Sequence, residues 1–222
     1  MKLTIYGRDV VLRVLFITIT IDVIAYFVDI VEIKLVLIAV SILFFAFTLF
    51  FFRDPKRNIP DNITKDTILS PADGRIVLID DIKNHEENIF PIDEPLKKVS
   101  IFLSALNVHV NRIPISGIIR YFRYVKGSYV MAFNKKASVL NERTEIGIEN
   151  ENNKKLVFKQ IAGFVARRIV CPLKKDVSVK AGEKFGMIKF GSRVDILFKP
   201  DAVLSVKKGQ KVVGGETIIA EL

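Results

Sequence analysis

Residues 186–206 read GMIKFGSRVDILFKPDAVLSV. Three short apolar runs, at 186–191, 193–198 and 202–206, are broken by the Gly191-Ser192 pair and by further turn residues. That texture predicts strands joined by tight connections. The same texture recurs outward from it. Upstream lie ILS at 68–70, RIVLID at 75–80, VSIFLS at 99–104 and ISGIIRYFRYV at 115–125. TEIGIE at 144–149 and KLVFKQIAG at 155–163 follow, with ETIIAE at 216–221 downstream. Asp73-Gly74, Gly127-Ser128, Asn152-Asn153 and Gly214-Gly215 supply turns between runs. Helical periodicity surfaces only between Ser128 and Leu140. Ten short strands with few crossover helices predict a mostly β domain, an antiparallel sandwich or barrel-like arrangement.

The N-terminal quarter differs. Leu35–Phe52 holds 18 residues without a charge, fourteen of them Leu, Val, Ile or Phe. On an insertion scale those fourteen favour a bilayer by about 4–8 kcal/mol. A helix of that length reaches about 27 Å, close to the thickness of the hydrocarbon core. Val14–Val28 is weaker, because Asp22 offsets about 3 kcal/mol of its apolar gain. The expectation is a helical hairpin over residues 1–52, transmembrane or interfacial, turning around Asp29, Glu32 and Lys34. No small-residue cleavage site follows the first apolar run, so it does not read as a cleavable signal. Lys2, Arg8 and Arg13 precede the hairpin's first apolar arm, and Arg53, Lys56 and Arg57 follow the second. By the positive-inside rule the rest of the chain then lies at the cytoplasmic face of the cell membrane. Residues 53–62, with Pro55 and Pro60, read as a linker to a domain at 63–222.

Charge narrows the partners. Residues 1–52 carry four basic and four acidic side chains, so the whole formal charge of +10 belongs to the domain. Beside an apolar span, that surplus points to an anionic membrane surface rather than to nucleic acid, each nearby Lys or Arg being worth about 1 kcal/mol there. The single cysteine, Cys171, rules out an intrachain disulfide and a Cys-only metal site. No HExxH, CxxC or phosphate-binding glycine loop is present, and no metal is expected.

Candidate chemistry reduces to a few positions. Of two histidines, His85 lies in the polar stretch KNHEENIF and reads as a surface residue, whereas His109 lies in LSALNVHVNRIP between a strand and a proline-ended turn. Asp73 sits in the turn SPADG, where it equally suits a simple turn cap. Ser192 follows Gly191 between two strand-like runs, a position equally suited to a bulge or hairpin. An acid, an imidazole and a hydroxyl are the parts of an activated serine. No G-x-S-x-G surrounds Ser192, which disfavours an ordinary hydrolase.

FFRDPKRNIP (51–60), LSPADGRI (69–76), FLSALNVHVNRIP (102–114), GFVARRI (163–169) and FGSRVD (190–195) together resemble the phosphatidylserine decarboxylase proenzymes, above all the short form with a hydrophobic N-terminal hairpin. The resemblance implies self-cleavage between Gly191 and Ser192, leaving a β chain of 1–191 and an α chain of 192–222. It implies a covalent pyruvate cofactor, the pyruvoyl form of Ser192, which takes the substrate amine as a Schiff base. The implied substrate is a serine phospholipid, phosphatidylserine or archaetidylserine, converted to its ethanolamine counterpart. His109 is then the candidate proton donor, and Arg112, Arg167 and Arg168 are candidate phosphate ligands. The long form of the family reads His-x-x-His where this chain has His109-Val110-Asn111-Arg112, so an Asp73–His–Ser192 triad does not carry over whole. Arg193 stands where the long form commonly has threonine, in agreement with the short form. A homodimer would be an ordinary assembly. Two alternatives stay open: a membrane-bound serine hydrolase using Asp73, His109 and Ser192, and a tethered β module like biotinyl or lipoyl carriers.

Overall fold

The computed structural model describes residues 2–130, 137–163, 168–189 and 191–222. They form two compact units, Met1–Pro55 and Lys56–Leu222.

In the first unit, α1 (Arg8–Tyr26) and α2 (Val31–Phe51) form a helical hairpin joined by four residues. Its open end is stapled by Thr4 N donating to the Phe52 carbonyl at 2.9 Å and Asp54 N to that of Lys2 at 2.8 Å. The helix faces are inverted relative to a water-soluble pair. Thr18, Ala25, Ser41 and Thr48 are buried between the helices, while Phe16, Ile19, Leu35 and Leu43 point outward. Small and hydroxyl side chains let helices pack closely where the surroundings are themselves apolar. Among the described residues α2 is the one helix long and apolar enough to cross a membrane. The expected span at Leu35–Phe52 thus begins one turn inside a longer helix.

The second unit is built of strands. In chain order they are β1 (Thr67–Leu69), β2 (Gly74–Lys83), β3 (Pro95–Leu103), β4 (Val110–Arg112), β5 (Gly117–Val125), β6 (Arg143–Glu149) and β7 (Lys155–Ile161). β8 (Ile169–Val170), β9 (Ser178–Val179), β10 (Lys184–Ile188), β11 (Ser192–Phe198), β12 (Val203–Leu204), β13 (Lys211–Val212) and β14 (Ile218–Glu221) complete them. The ten runs seen in the sequence are all strands. The four that were missed, β4, β8, β9 and β13, are two or three residues long, too short for an alternating pattern to register. Of the stretch with helical periodicity, α3 (Ala137–Leu140) is helical, and 131–136 lie outside the described residues.

One antiparallel sheet in the order β13-β2-β3-β11-β7-β6-β5-β9 curls into a half-barrel. Bulges at Ile76/Leu78 and Ile119/Tyr121 add twist. Two three-stranded sheets, β4-β10-β8 and β1-β14-β12, complete the unit. The mostly β, barrel-like expectation holds. The core joins alternate residues of the large sheet (Val99, Ile101, Ile146, Phe158, Val194, Ile196) to Ile113, Phe185, Ile188 and Ile219. Phe158 and Phe185 meet edge to face at 5.2 Å. Arg57 and Asn58, read from sequence as part of the 53–62 linker, bond to Asp73 and Glu216 of this unit.

The other face of the large sheet carries a buried row of charges. Asp195 on β11 stands between Ser100 on β3 and Lys159 on β7; Lys159 opposes Glu145 on β6, and the partly exposed Arg123 on β5 opposes Glu145 at the row's outer end. Burial pushes the Asp195 carboxyl up, but the Arg193 and Lys98 cations hold it below the ordinary carboxylate range. Burial likewise raises Glu145, and Lys159, Arg143 and Arg123 outweigh it. A carboxyl whose pKa is lower folded than unfolded makes the unfolded chain the stronger proton binder, so stability rises with pH through that window. The contribution is complete above the unfolded pKa of about 4 and is lost as pH falls through the lower folded values. Urea midpoints measured downward from neutrality should hold to about pH 5 and then fall. A midpoint that stays flat to about pH 3 would contradict the lowered carboxyls.

Candidate functional site

Register assembles the site. Leu103, the last residue of β3, pairs with Ser192, the first of β11. β3 leads through residues 104–109 into β4, and β4 pairs with β10 through Val110↔Met187 and Asn111↔Gly186. β10 in turn leads through 189–191 into β11. The connection carrying His109 and the one carrying Gly191 therefore face each other at one end of the sheet.

Between the layers runs a polar chain. Thr144 Oγ1 donates to Gln160 Oε1 at 2.9 Å, and Gln160 Nε2 to Asn111 Oδ1 at 2.7 Å. Gln160 is opposite Val194, two residues beyond Ser192, and His109 lies two residues before Asn111. Alternation along an extended chain puts Ser192 and His109 on the same sides as Val194 and Asn111, one step closer to the sheet's end.

Both are fully buried. The turn before His109 is closed by Asn107 Oδ1, which accepts from Ser104 N at 2.9 Å and Ser104 Oγ at 2.7 Å. The Asn107 carbonyl lies 2.9 Å from His109 Nδ1. A carbonyl only accepts, so Nδ1 carries the hydrogen, and Nε2 is the basic nitrogen of the neutral ring.

Gly191 has φ +54°, the left-handed region that L side chains adopt only at a cost of about 1–2 kcal/mol. A Cβ there would meet nothing within 4 Å among the described residues, so backbone conformation, not crowding, requires glycine. Ser192 Oγ is buried, and among the described residues it has no hydrogen-bond partner. A hydroxyl left so costs about 1–3 kcal/mol. A buried hydroxyl without a partner calls for an explanation other than packing.

Asp73 is held by a partner that the sequence reading did not single out. Arg57 Nη2 donates to both its oxygens, at 2.9 and 2.7 Å, and Gly214 N donates to Oδ1 at 2.8 Å. Arg57 belongs to the quoted string FFRDPKRNIP, but its pairing across sixteen residues is not visible there. Asp73 also lines one cavity with Ser104 and Asn107, next to the turn that orients His109. Arg112 is buried, and its Nη1 donates to the Gly182 carbonyl at 2.9 Å. Arg168 is exposed, and Arg167 lies outside the described residues. Gly191, Ser192, His109 and the Asp73 turn thus gather at one end of the sheet.

A family model described as phosphatidylserine decarboxylase matches residues 44–220. A Chlorobium luteolum protein called phosphatidylserine decarboxylase proenzyme is 47% identical over 219 residues, covering 98% of this chain and 99% of its own. A Wolbachia relative from Brugia malayi with the same name is 52% identical over 179 residues, 78% of this chain and 74% of its own. One from Salinibacter ruber is 44% identical over 176 residues, 79% and 76%.

Proposed function

The chain belongs to the phosphatidylserine decarboxylase family, and from that premise we propose that it is a membrane-tethered proenzyme that cuts itself at Gly191-Ser192 and decarboxylates phosphatidylserine. The observation that carries this reading is the buried Ser192 Oγ, without a hydrogen-bond partner among the described residues, beside the left-handed Gly191.

In the proposed cut, Ser192 Oγ attacks the Gly191 carbonyl carbon and the Ser192 nitrogen leaves it as a free amine, giving an ester. Loss of the Ser192 Cα proton then expels the Gly191 carboxylate as the end of the 1–191 chain. Water replaces the amine, ammonia departs, and residue 192 ends as a ketone. That pyruvoyl group supplies an electron sink for the bonding pair released with CO2. The freed α chain is held by the sheet: β11 pairs with β3 on one side and β7 on the other, and β14 pairs with β1. His109, oriented through Nδ1, presents Nε2 as the group that moves a proton at the reacting carbon. In this reading α2 crosses the bilayer, and the basic residues flanking the hairpin hold the domain at the cytoplasmic face.

Intact mass of the purified chain tests the proposal. Two pieces are expected, the smaller comprising residues 192–222, with a blocked N-terminus that gains two hydrogens on borohydride reduction. A serine hydrolase or a carrier module would remain one chain, and an active, uncut sample would sink the reading.

Arg57 supplies a second expectation. Arg57→Met removes the two-pronged hold on Asp73, so uncut precursor should accumulate, and Arg57→Lys should recover part of the cutting rate. Pulse-chase on gels reads both. Equal rates in all three proteins would leave the Arg57–Asp73 pair without a role in processing.

A further inference from the structure

Beside the site lies a cavity of about 490 Å³ walled by Asp73, Arg75, Val77, Phe102, Ser104, Asn107 and β13. Its wall reaches the catalytic end of the sheet. Leu103 pairs with Ser192 at the end of the ladder, and Ser104 is the next residue along the chain. A larger cleft of about 790 Å³, near Ser116–Ile118 and Glu149–Asn150, contains none of the site residues.

The charge on this cavity is unusual. Arg75 on β2 and Lys211 on β13 are directly opposite each other. Like charges in that position repel and destabilise the strand pair. Arg75 Nη1 donates to the Gly209 carbonyl, and among the described residues neither cation has a carboxylate within ion-pair distance. The acid in the same wall, Asp73, is already paired with Arg57. Lys207 and Lys208 lie just beyond on the chain that runs beside β2, where Gly209 N donates to the Ile76 carbonyl. A lysine on an edge strand such as β13 is commonly explained as protection against strand addition. That explanation leaves the arginine opposite it unaccounted for. An anion seated between them accounts for both.

We propose that Arg75 and Lys211 bind the phosphodiester of the serine phospholipid substrate, with Val77, Phe102, Val212 and Val213 as the apolar wall on which the lipid's glycerol end rests. The proposal rests on the decarboxylase reading for the identity of its ligand. It moves phosphate recognition away from Arg112, whose guanidinium is engaged by Gly182 inside the fold. The headgroup would then run from the basic pair past Ser104 and Asn107 toward Ser192.

Binding of monomeric dihexanoyl phosphatidylserine to the full-length Ser192→Ala chain in neutral detergent is the direct test. Adding Arg75→Gln and Lys211→Gln should weaken it at least tenfold. Adding Lys174→Gln and Lys175→Gln, an equal loss of charge on an exposed loop, should not. In the chain with native Ser192, Arg75→Gln with Lys211→Gln should raise KM by a similar factor, with kcat and self-cleavage retained. Unchanged binding in the Arg75/Lys211 variant overturns the proposal, as does an equal loss in the Lys174/Lys175 control. Inorganic phosphate binding as tightly as the lipid would replace it with a free-phosphate site. If the native chain neither cuts itself nor decarboxylates while the binding difference persists, the decarboxylase reading falls and the anion site stands.

Discussion

Ser192→Ala is expected to yield one 25.1 kDa chain with no decarboxylase activity and undiminished stability. The two halves of that expectation come from the same atom. Without Oγ no acyl acceptor lies next to the Gly191 carbonyl, and no ketone forms at residue 192. Removing a structural serine normally breaks a hydrogen bond and costs about 1 kcal/mol. Here Oγ is buried with no partner among the described residues, so its removal takes away a desolvated group instead. Melting should therefore occur at or above the temperature of an uncut reference such as freshly synthesised precursor. Loss of cutting together with a large drop in melting temperature would mean that Ser192 is a packing residue, and the site assignment would fail. Ser192→Thr keeps the hydroxyl but adds a methyl group to a fully buried position. It should cut slowly rather than not at all.

Asp195→Ala is expected to have the largest effect on stability of any single change in the charge row. The carboxylate is buried among Arg193 Nε at 2.8 Å, Lys98 Nζ at 3.4 Å and Ser138 Oγ at 2.9 Å. Its loss leaves the buried Arg193 and the half-buried Lys98 without their carboxylate, a situation worth about 3–5 kcal/mol. For a domain of this size that is a fall of roughly 6–20 °C in melting temperature. Asp195→Asn keeps an oxygen for Ser138 and Arg193 but not the charge, and should fall between. Because Arg193 directly follows Ser192, processing should also slow in the Ala variant. Thermal unfolding followed by circular dichroism, with gels for processing, measures both. A melting temperature within about 2 °C of the parent would show that the row contributes little.

The comparison of sequence and structure turns on distance along the chain. Strands and hairpin were legible because their signals are local: alternation with period two around 193–198, a charge-free run at 35–52, turn residues between them. The Gly191-Ser192 step and His109 were legible as motifs, each within a few residues. Arg57 was passed over because nothing near it in sequence marks its partner. Lys159, Glu145 and Asp195 look like the solvated charges of ordinary strands, and only their shared register places them in one buried row.

The amino-acid order by itself therefore determined which segments are strands, which could enter a bilayer, and which peptide bond stands out. Tertiary structure alone decided that Asp73 meets Arg57 and Gly214, that Asn111 meets Gln160, and that Arg75 faces Lys211. The reason is physical. Backbone preference and hydrophobic periodicity act over a few residues, whereas cross-strand partners are chosen by how sheets pair and pack, and a shift of one residue in that pairing would turn every side chain to the opposite face.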